Sequence, residues 1–493
     1  MQKKEAGITK TDIVVIVLIS ITIRYLISLN SFSGHAKPPM FGDMEAQRHW
    51  MEITVHLPRY DWYRNTQDND LQYWGLDYPP LTAFHEYLMG SIVDHFFPSI
   101  VALHSSRGIE TDQSILLMRL SVILSDLIVF IPSCILFVTL LLKNHSRESQ
   151  IQILLSLLLS PSLLLIDHAH FQYNSVCLGF VILAITAVQL DWDCLGSFFF
   201  VMAIGYKQIA LYYSLVFFIW LLRKCIQQHS FIHLIKIGVT VIVSFSLLFL
   251  PFCIYLPSNL TPLQSLQAVI TRMFPWNRWL FEDKVASFWC TLNNVVKLNS
   301  HFSFNQMKNL CLIGTIISII PSLYMLTKHA DLECVLYCLF ECSIGFFLFS
   351  YHVHEKTILF PLIPLLLLVD NDQNRSIKSF FELAASFSMI PLYIKDGTLL
   401  PAVAYTIIFY FCLSTKSIIP FTSHKSFDSF LSFIVHIGIA GLSVFYLVPP
   451  PSRYPDLHSV LVSSFSFGIF SLFYLMILRI QYQATYEDLR KSC

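Results

Sequence analysis

The sequence predicts an all-α membrane protein that crosses the bilayer many times. Of the 493 residues, 55% are hydrophobic and only 13% are charged, whereas a soluble domain carries about 25% charged residues. The mean hydropathy is +0.60, and apolar stretches long enough to cross a bilayer recur along the chain. Lys+Arg and Asp+Glu total 32 each, so no basic excess indicates a nucleic-acid partner.

The first predicted span is the apolar run 13–29, which follows Lys3, Lys4 and Lys10. No small-residue cleavage site follows this run, so we expect a retained helix rather than a removed signal peptide. Further spans are predicted near 115–142, 151–166, 175–190, 194–205, 208–222, 232–256, 309–327, 332–350, 357–369, 379–394, 400–415, 427–448 and 458–478. The total is about fourteen, with a margin of two, because 194–205 is short and 400–415 also fits a re-entrant segment.

The basic residues beside the spans predict the orientation, because Lys and Arg are retained on the cytosolic side. With both termini in the cytosol, one side receives short basic connections with Lys143, Arg147, Arg223, Lys224, Lys236, Lys328, Arg375, Lys378, Lys416, Lys425, Arg490 and Lys491. The opposite side receives two long loops, about 31–114 and 257–308, and the polar stretches 167–174, 206–208 and 351–356. This clustering favours an active site on the luminal or exoplasmic face.

The first long loop combines aromatic and charged residues in a pattern that suits sugar binding. Tryptophan and tyrosine stack on sugar faces and carboxylates hold hydroxyls, although the same aromatics suit a membrane interface. Residues 43–55 have helical spacing and predict a helix lying on the bilayer surface. Asp43, at its start, is either an N-cap or a general base beside a lipid-linked head group. Asp77 is either an aspartate that initiates a turn or a substrate-binding residue.

The motif YHVHEK at 351–356 lies between two apolar runs, at the predicted membrane boundary. Its histidine and lysine side chains can neutralise a phosphate, with Glu355 paired to a cation. On a helix its two histidines diverge, and no third ligand has suitable spacing, so a metal is the less favoured interpretation. Lys207, Arg272 and Arg278 are further candidates for phosphate contact, although each alone is more often a snorkelling anchor. No glycine-rich phosphate loop indicates a nucleotide cofactor.

Several stretches together resemble one family. They are GDMEAQRHWMEIT (42–54), LQYWGLDYPPLTAFHEYL (71–88), DHAHFQYN (167–174), GYKQ (205–208), RMFPWNRWLFEDKVASFWC (272–290) and YHVHEK (351–356). The chain resembles the eukaryotic dolichyl-phosphate-glucose α-1,3-glucosyltransferases of the endoplasmic reticulum over about 12–370, and beyond that mainly in hydropathy. Within the family, 45–50 is similar to the members that add the first glucose to the high-mannose lipid-linked oligosaccharide, and departs from those that add the second.

The resemblance implies a GT-C fold, with a shared module over 1–300 that carries the luminal loops and a variable transmembrane module over 301–493. It implies an inverting transfer of glucose from dolichyl phosphate to a terminal mannose, in α1,3 linkage, during N-glycan precursor assembly. Asp43 is implied as the catalytic base, and His354, Glu355 and Lys356 as the lining of the donor phosphate site. Other expected substrate-binding residues are Glu45, Arg48, His49, Asp77, Tyr78, Lys207, Arg272, Arg278 and His352.

The expected partners are the lipid-linked donor, which is a co-substrate, the lipid-linked oligosaccharide acceptor and membrane lipids. No cofactor and no metal requirement are expected, and the sequence does not predict the oligomeric state.

The competing hypothesis is a transporter or flippase for a lipid-linked or small polar substrate, which would place ionisable residues at mid-membrane. This chain offers few there, namely Arg24, Asp126, Glu341 and Glu382. Polar groups gathered in loops on one side favour chemistry on head groups.

Overall fold

The computed structural model describes residues 7–274, 284–413, 425–446 and 448–492. Within these ranges the regular secondary structure is helical throughout, as the sequence predicts. The α-helices are α1 Lys10–Ser28, α2 Asp43–His56, α3 Pro80–Phe96, α4 Asp112–Ser125, α5 Ile131–Leu136, α6 Arg147–Leu158, α7 Pro161–Leu164, α8 Asn174–Gln189, α9 Asp193–Tyr206, α10 Ser214–Gln227, α11 Phe231–Phe249, α12 Pro262–Met273, α13 Phe288–Val295, α14 Leu298–His301, α15 Phe304–Lys328, α16 Leu332–Phe349, α17 Leu359–Leu366, α18 Asp372–Ser388, α19 Ile390–Lys395, α20 Leu399–Leu413, α21 Lys425–Phe445 and α22 Leu457–Ser492.

Short π-helical and 3-10 segments extend or link these helices. The π-helical segments are Asp126–Phe130, Phe137–Leu141 and Leu165–Phe171, and the 3-10 segments are Arg59–Asp61, Pro98–Ile100, Gln208–Tyr213, Leu250–Phe252 and Glu355–Ile358. The π-helical segment Leu165–Phe171 continues α7 and is buried along its whole length. Single π-helical turns often mark functional sites, because the extra residue redirects side chains. This one carries His168 and His170.

Nine helices of the described part are long and apolar enough to cross a membrane. They are Lys10–Ser28, Asp112–Leu141, Arg147–Phe171, Gln208–Gln227, Phe231–Phe252, Phe304–Lys328, Leu332–Phe349, Asp428–Phe445 and Leu457–Tyr486. Three shorter apolar helices accompany them, at Asn174–Gln189, Asp193–Tyr206 and Leu399–Cys412. The protein is therefore a multi-pass membrane protein, while the total of about fourteen spans stays a prediction.

Helix α2 confirms the predicted helix over 43–55 but not its predicted place on the bilayer surface. Its residues 44–54 are all buried, and Trp50 and Met51 pack inside the protein. Asp43 is also not the N-cap, because Gly42 holds that position with no side-chain hydrogen bond. Helix α2 packs against α3 and against the π-helical segment Leu165–Phe171. The carboxylate of Asp43 is thereby left for contacts with other parts of the chain.

The loops that the sequence assigns to one side of the membrane contact one another in the structure. On the side predicted to be cytosolic, Arg147 pairs with Asp12 at 2.6 Å and Lys224 with Asp193 at 2.6 Å. At the other end of the helices, His170 contacts both Asp43 and Asp396. Each contact joins segments that the prediction places on the same face, so the structure supports two separate polar faces.

Three of the four ionisable residues predicted at mid-membrane have partners inside the protein, whereas both carboxylate oxygens of Glu341 are buried without a hydrogen-bond partner among the described residues. Nε of Arg24 lies 2.6 Å from Asp126, which also receives Nε2 of His168 at 3.0 Å. The carboxylate of Glu382 accepts from the Ser160 hydroxyl and from the Ser162 amide, at 2.8 and 2.7 Å. Removal of one partner from a buried ion pair leaves an uncompensated charge and is strongly destabilising, so the folded protein needs Arg24 and Asp126 together.

Candidate active site

Asp43 is the first residue of α2 and faces a cluster built from distant parts of the chain. Its Oδ2 accepts from Lys356 Nζ at 2.6 Å and from Gln172 Nε2 at 2.5 Å, and lies 3.0 Å from Nε2 of His170. Gly42 permits this position, because a Cβ there would lie 2.3 Å from the carbonyl oxygen of Ser33. The side chain of Asp43 keeps 19% of its surface exposed, so it is both held and accessible.

Lys356 comes from the 3-10 helix Glu355–Ile358, between α16 and α17. Its ammonium also lies 3.0 Å from Nε2 of His170. The motif YHVHEK thus occupies the predicted position between two apolar helices, and it delivers one cation directly to Asp43. Lys356 is 21% exposed, which leaves its ammonium within reach of a further anion.

His170 links Asp43 to a carboxylate from the last third of the chain. Its Nδ1 lies 2.5 Å from Oδ2 of Asp396, and the two side chains are 3% and 1% exposed. Asp396 directly follows α19, and the next residue, Gly397, turns the chain with a φ of 73°, which favours glycine. The order of contacts is therefore Asp396, His170, Asp43 and Lys356.

The charges of this cluster stabilise one another against the cost of burial. Burial by itself would raise the pKa of Asp43, but the Lys356 ammonium and then His170 hold this pKa well below its ordinary value. For Lys356, burial opposes the charged form, yet the Asp43 carboxylate raises the pKa above its ordinary value. Asp43 is therefore a carboxylate and Lys356 an ammonium at neutral pH.

Two of the predicted substrate-binding residues, Tyr78 and Lys207, lie next to this cluster. The hydroxyl of Tyr78 donates to Oε1 of Gln172 at 3.3 Å, and Gln172 in turn donates to Asp43. Nζ of Lys207 lies 4.8 Å from the centre of the Tyr78 ring and donates to Oδ1 of Asn174 at 2.5 Å. Burial lowers the pKa of Lys207 to about 8, and the Lys356 ammonium acts in the same direction.

Glu45, Arg48 and His49 form a separate network inside the first loop. Arg48 makes a two-pronged ion pair with Glu45, both distances being 2.7 Å, and a further bond of 2.8 Å to Glu52. Nδ1 of His49 lies 3.3 Å from Glu52, and the hydroxyl of Tyr73 donates to Glu45 at 2.7 Å. The network fixes α2 within the loop. Binding of substrate by these residues stays a prediction.

The remaining predicted residues have different surroundings. Arg272, in α12, donates to the carbonyl oxygens of Leu76 and Gly75 at 3.1 and 2.5 Å, so it ties the second long loop to the first. Asp77 lies beside these carbonyls in the chain, and its own carbonyl receives Nε2 of Gln208 at 3.4 Å. Arg278 lies outside the described residues.

A polar cavity of about 430 Å³ is lined in part by residues that neighbour members of the cluster in the chain. Glu355 lines it beside Lys356, and Lys395 lines it beside Asp396. Its other lining residues include Lys284, Asn293, Asn294, Ser388, Ser459 and Ser463. Oε2 of Glu355 is buried without a hydrogen-bond partner among the described residues. The imidazoles of His352 and His354 contact each other edge-on, 5.1 Å apart.

Sequence reasoning did not identify His170, Gln172 or Asp396 as site residues. The stretch DHAHFQYN carried a signal for the first two, because it is a polar run directly after an apolar span. Asp396 carried none, since a single aspartate between two apolar helices is typical of any solvated turn. Among the described residues, no group of three or more His, Cys, Asp or Glu side chains is arranged to hold a metal ion. Metal independence stays a prediction.

The cluster brings one carboxylate and one ammonium together at a partly exposed position. A carboxylate can accept the proton of an attacking hydroxyl. An ammonium can neutralise the negative charge that develops on a departing phosphate. The two groups together can therefore support a single displacement at a carbon atom that carries a phosphate leaving group.

Comparison with known proteins gives matches over nearly the whole chain. The model of the ALG6, ALG8 glycosyltransferase family matches residues 19–476. The Dolichyl pyrophosphate Man9GlcNAc2 alpha-1,3-glucosyltransferase of Gallus gallus is 41% identical, covering 91% of this chain and 92% of the relative. The protein of that name in Saccharomyces cerevisiae is 40% identical, covering 94% and 90%. A Dictyostelium discoideum protein named as a probable enzyme of this type is 40% identical, covering 95% and 94%.

These matches confirm the predicted family, and with the all-helical, membrane-spanning structure they confirm the predicted GT-C class. The chain belongs to the ALG6, ALG8 glycosyltransferase family.

Proposed function

We propose that this protein transfers glucose from dolichyl-phosphate-glucose to the terminal mannose of dolichyl-diphosphate-linked Man9GlcNAc2, forming an α1,3 linkage. The printed names of the relatives give this acceptor and this linkage for those proteins. The observation that carries the proposal is the contact between Asp43 and Lys356, because it pairs a base with a cation suited to a phosphate. The transfer would add the first glucose during N-glycan precursor assembly.

The reaction is a single displacement with balanced bonds. The acceptor hydroxyl loses its proton to the carboxylate of Asp43 while its oxygen bonds to the anomeric carbon of glucose. The bond from that carbon to the phosphate oxygen breaks on the opposite face, and its electron pair leaves with dolichyl phosphate. Attack from the opposite face converts the β-linked donor into an α-linked product.

Lys356 serves both partners of this displacement. A donor phosphate bound beside Lys356 would share the ammonium that pairs with Asp43 at 2.6 Å. When the ammonium of Lys356 is shared with the phosphate, it attracts the Asp43 carboxylate less strongly, and this attraction is what keeps the pKa of Asp43 low. The carboxylate therefore becomes a better base when donor is bound. His354, which is two residues away, is proposed to contact the same phosphate.

The cavity of about 430 Å³ suits the acceptor oligosaccharide. Pockets of this volume hold small polar molecules or parts of larger ones. Amides and hydroxyls of Asn293, Asn294, Ser459 and Ser463 can hydrogen-bond sugar hydroxyls, and the buried Oε2 of Glu355 can accept one.

We further propose that the protein lies in the endoplasmic reticulum membrane, with the Asp43 cluster on the luminal face and both termini in the cytosol. The family membership supports this membrane, and the segregation of basic loops supports this orientation. Transfer catalysed by Lys356 in place of a metal ion needs no cofactor, because dolichyl-phosphate-glucose is consumed as a co-substrate.

The deciding experiment offers the purified protein dolichyl-phosphate-glucose with lipid-linked acceptors that carry either no glucose or one glucose. Glucose transfer to the glucose-free acceptor alone is the expected result. Transfer only to the acceptor with one glucose would assign the chain to the addition of the second glucose. A protein that transfers to neither acceptor, and instead moves lipid-linked sugar across a vesicle membrane, would reject the enzyme in favour of a transporter.

A further inference from the structure

Asp396 is a buried carboxylate with a single described partner. Its side chain is 1% exposed, and Oδ2 contacts Nδ1 of His170 at 2.5 Å. Its other oxygen, Oδ1, is buried without a hydrogen-bond partner among the described residues. An ionised carboxylate that lacks part of its hydrogen bonds in a buried place is destabilising.

The effect of Asp396 on His170 can be read from the geometry. Lys356 lies 3.0 Å from Nε2 of His170, and an ammonium has only hydrogens to offer, so Nε2 is an acceptor. The ring proton then resides on Nδ1 and is donated to Asp396. In the structure the lone pair of Nε2 accepts from Lys356, and Nε2 lies 3.0 Å from Oδ2 of Asp43, so the lone pair becomes free to take a proton from that oxygen once Lys356 moves away. An acidic partner fixes the tautomer of a catalytic histidine in the same way in serine proteases.

We infer that His170 and Asp396 form a proton-storing pair behind the base Asp43. This inference rests on the proposed glucose transfer and assigns a role to residues that touch no substrate. Asp43 first takes the proton from the acceptor hydroxyl. When Lys356 has turned to the donor phosphate, that proton passes from the Asp43 oxygen to Nε2 of His170. The O–H bond breaks, the N–H bond forms, and Asp396 stabilises the resulting imidazolium. The proton leaves to water after the products depart.

The pair explains how a weakly basic carboxylate can serve the reaction. An aspartic acid is ordinarily a stronger acid than an imidazolium, so Asp43 holds the proton of the acceptor hydroxyl only weakly. A neighbouring imidazole removes it. The charged and titratable groups that act on His170 are Asp43 from α2, Lys356 from the 3-10 helix Glu355–Ile358 and Asp396 after α19, with Glu355, Lys207 and Tyr393 behind them.

The test measures kcat against pH for the full-length wild-type enzyme and the Asp396→Asn variant, with saturating donor and acceptor. The variant should fold, keep both KM values within about twofold and lose roughly 10–100-fold in kcat. The acid limb of the variant's pH profile, where kcat falls as the pH decreases, should move to lower pH by roughly one unit. The reason is that the imidazole of His170 loses the adjacent negative charge. Asp396→Glu should restore the position of the limb and part of the lost kcat.

Asp193→Asn is the matched control. Oδ2 of Asp193 lies 2.8 Å from Nε2 of His233, and its carboxylate is also 1% exposed, but this aspartate–histidine pair lies outside the site. The control should keep the pH profile of the wild type. If Asp396→Asn does not fold, His170→Gln replaces it, and its acid limb should fall to the lower pH set by Asp43 alone.

The outcomes separate the two proposals. A wild-type enzyme that transfers no glucose rejects the proposed function. A wild type that transfers glucose, together with an Asp396→Asn or His170→Gln variant whose acid limb stays in place, rejects only the proton-storing pair. In that second case any loss of kcat reflects a purely structural role of Asp396.

Discussion

Nζ of Lys356 lies 2.6 Å from Oδ2 of Asp43, although 313 positions separate the two residues in the chain. This contact joins the start of the first long loop to the segment between α16 and α17. Because one group is a base and the other a cation, the site can act on both ends of a breaking glycosyl–phosphate bond.

Replacing Asp43 by asparagine should reduce glucose transfer at least 100-fold, because the amide cannot accept the proton of the acceptor hydroxyl. The substitution keeps the volume of the side chain, so we expect a folded protein that still binds donor. Transfer assays with donor-binding measurements on the purified variant check this. Near-normal transfer would reject Asp43 as the base.

Replacing Lys356 by alanine should raise the KM for dolichyl-phosphate-glucose by roughly 10–100-fold. This range corresponds to the loss of binding free energy expected when one hydrogen bond to a charged group is removed. His354→Ala should weaken use of the donor in the same direction. Lys224→Ala is the control, since this lysine pairs with Asp193 on the opposite face. A KM for donor that is unchanged in both site variants would remove the donor phosphate from this position.

Placing a phenylalanine at Ser463 should fill part of the polar cavity, where this serine is 4% exposed. We expect the KM for the lipid-linked oligosaccharide to rise about tenfold, with the KM for donor unchanged. Ser300→Phe, on the exposed surface of α14, provides the control. If the KM for donor rises instead, the cavity holds the donor sugar.

Adding a chelator of divalent cations should leave transfer unchanged, because Lys356 is proposed to neutralise the phosphate without a metal ion. The assay compares initial rates with and without chelator after removal of added salts. A strict requirement for a divalent metal would contradict the proposed role of Lys356.

Replacing Glu52 by glutamine should lower the free energy of unfolding by roughly 3 kcal/mol at neutral pH, because the buried Arg48 loses an ionic partner. Burial opposes ionisation, but His49 and Arg48 lower the pKa of Glu52 from 4.5 to about 2. Since the folded protein has the lower pKa, the stabilisation is complete above pH 4.5 and is lost as the pH falls toward 2. Unfolding in detergent at pH 7 and pH 3 should show a smaller difference between wild type and variant at pH 3.

The sequence predicts those site residues that short local motifs identify. Asp43 stands before a helix rich in polar residues, and Lys356 lies in a charged motif between two apolar runs. Both stand out because charge is scarce in this chain. The apolar runs likewise predict most of the long helices, because a membrane-spanning helix is a continuous run of apolar residues.

The contacts of Asp396 and of the first-loop network show what local sequence patterns do not predict. Asp396 reaches His170 only because α19 ends beside the π-helical segment Leu165–Phe171, and that packing between distant segments leaves no local trace. Glu45, Arg48 and Glu52 are three and four residues apart on one helix face, a spacing that favours pairing with each other. Each of these three charges has a partner within α2, and substrate binding by Glu45 and Arg48 stays a prediction.

The cluster draws its members from residue 43 to residue 396. A ribosome that has made only the first three quarters of the chain has therefore produced no complete catalytic centre. The complete cluster forms only after the segment that carries Asp396 has been inserted and packed against His170.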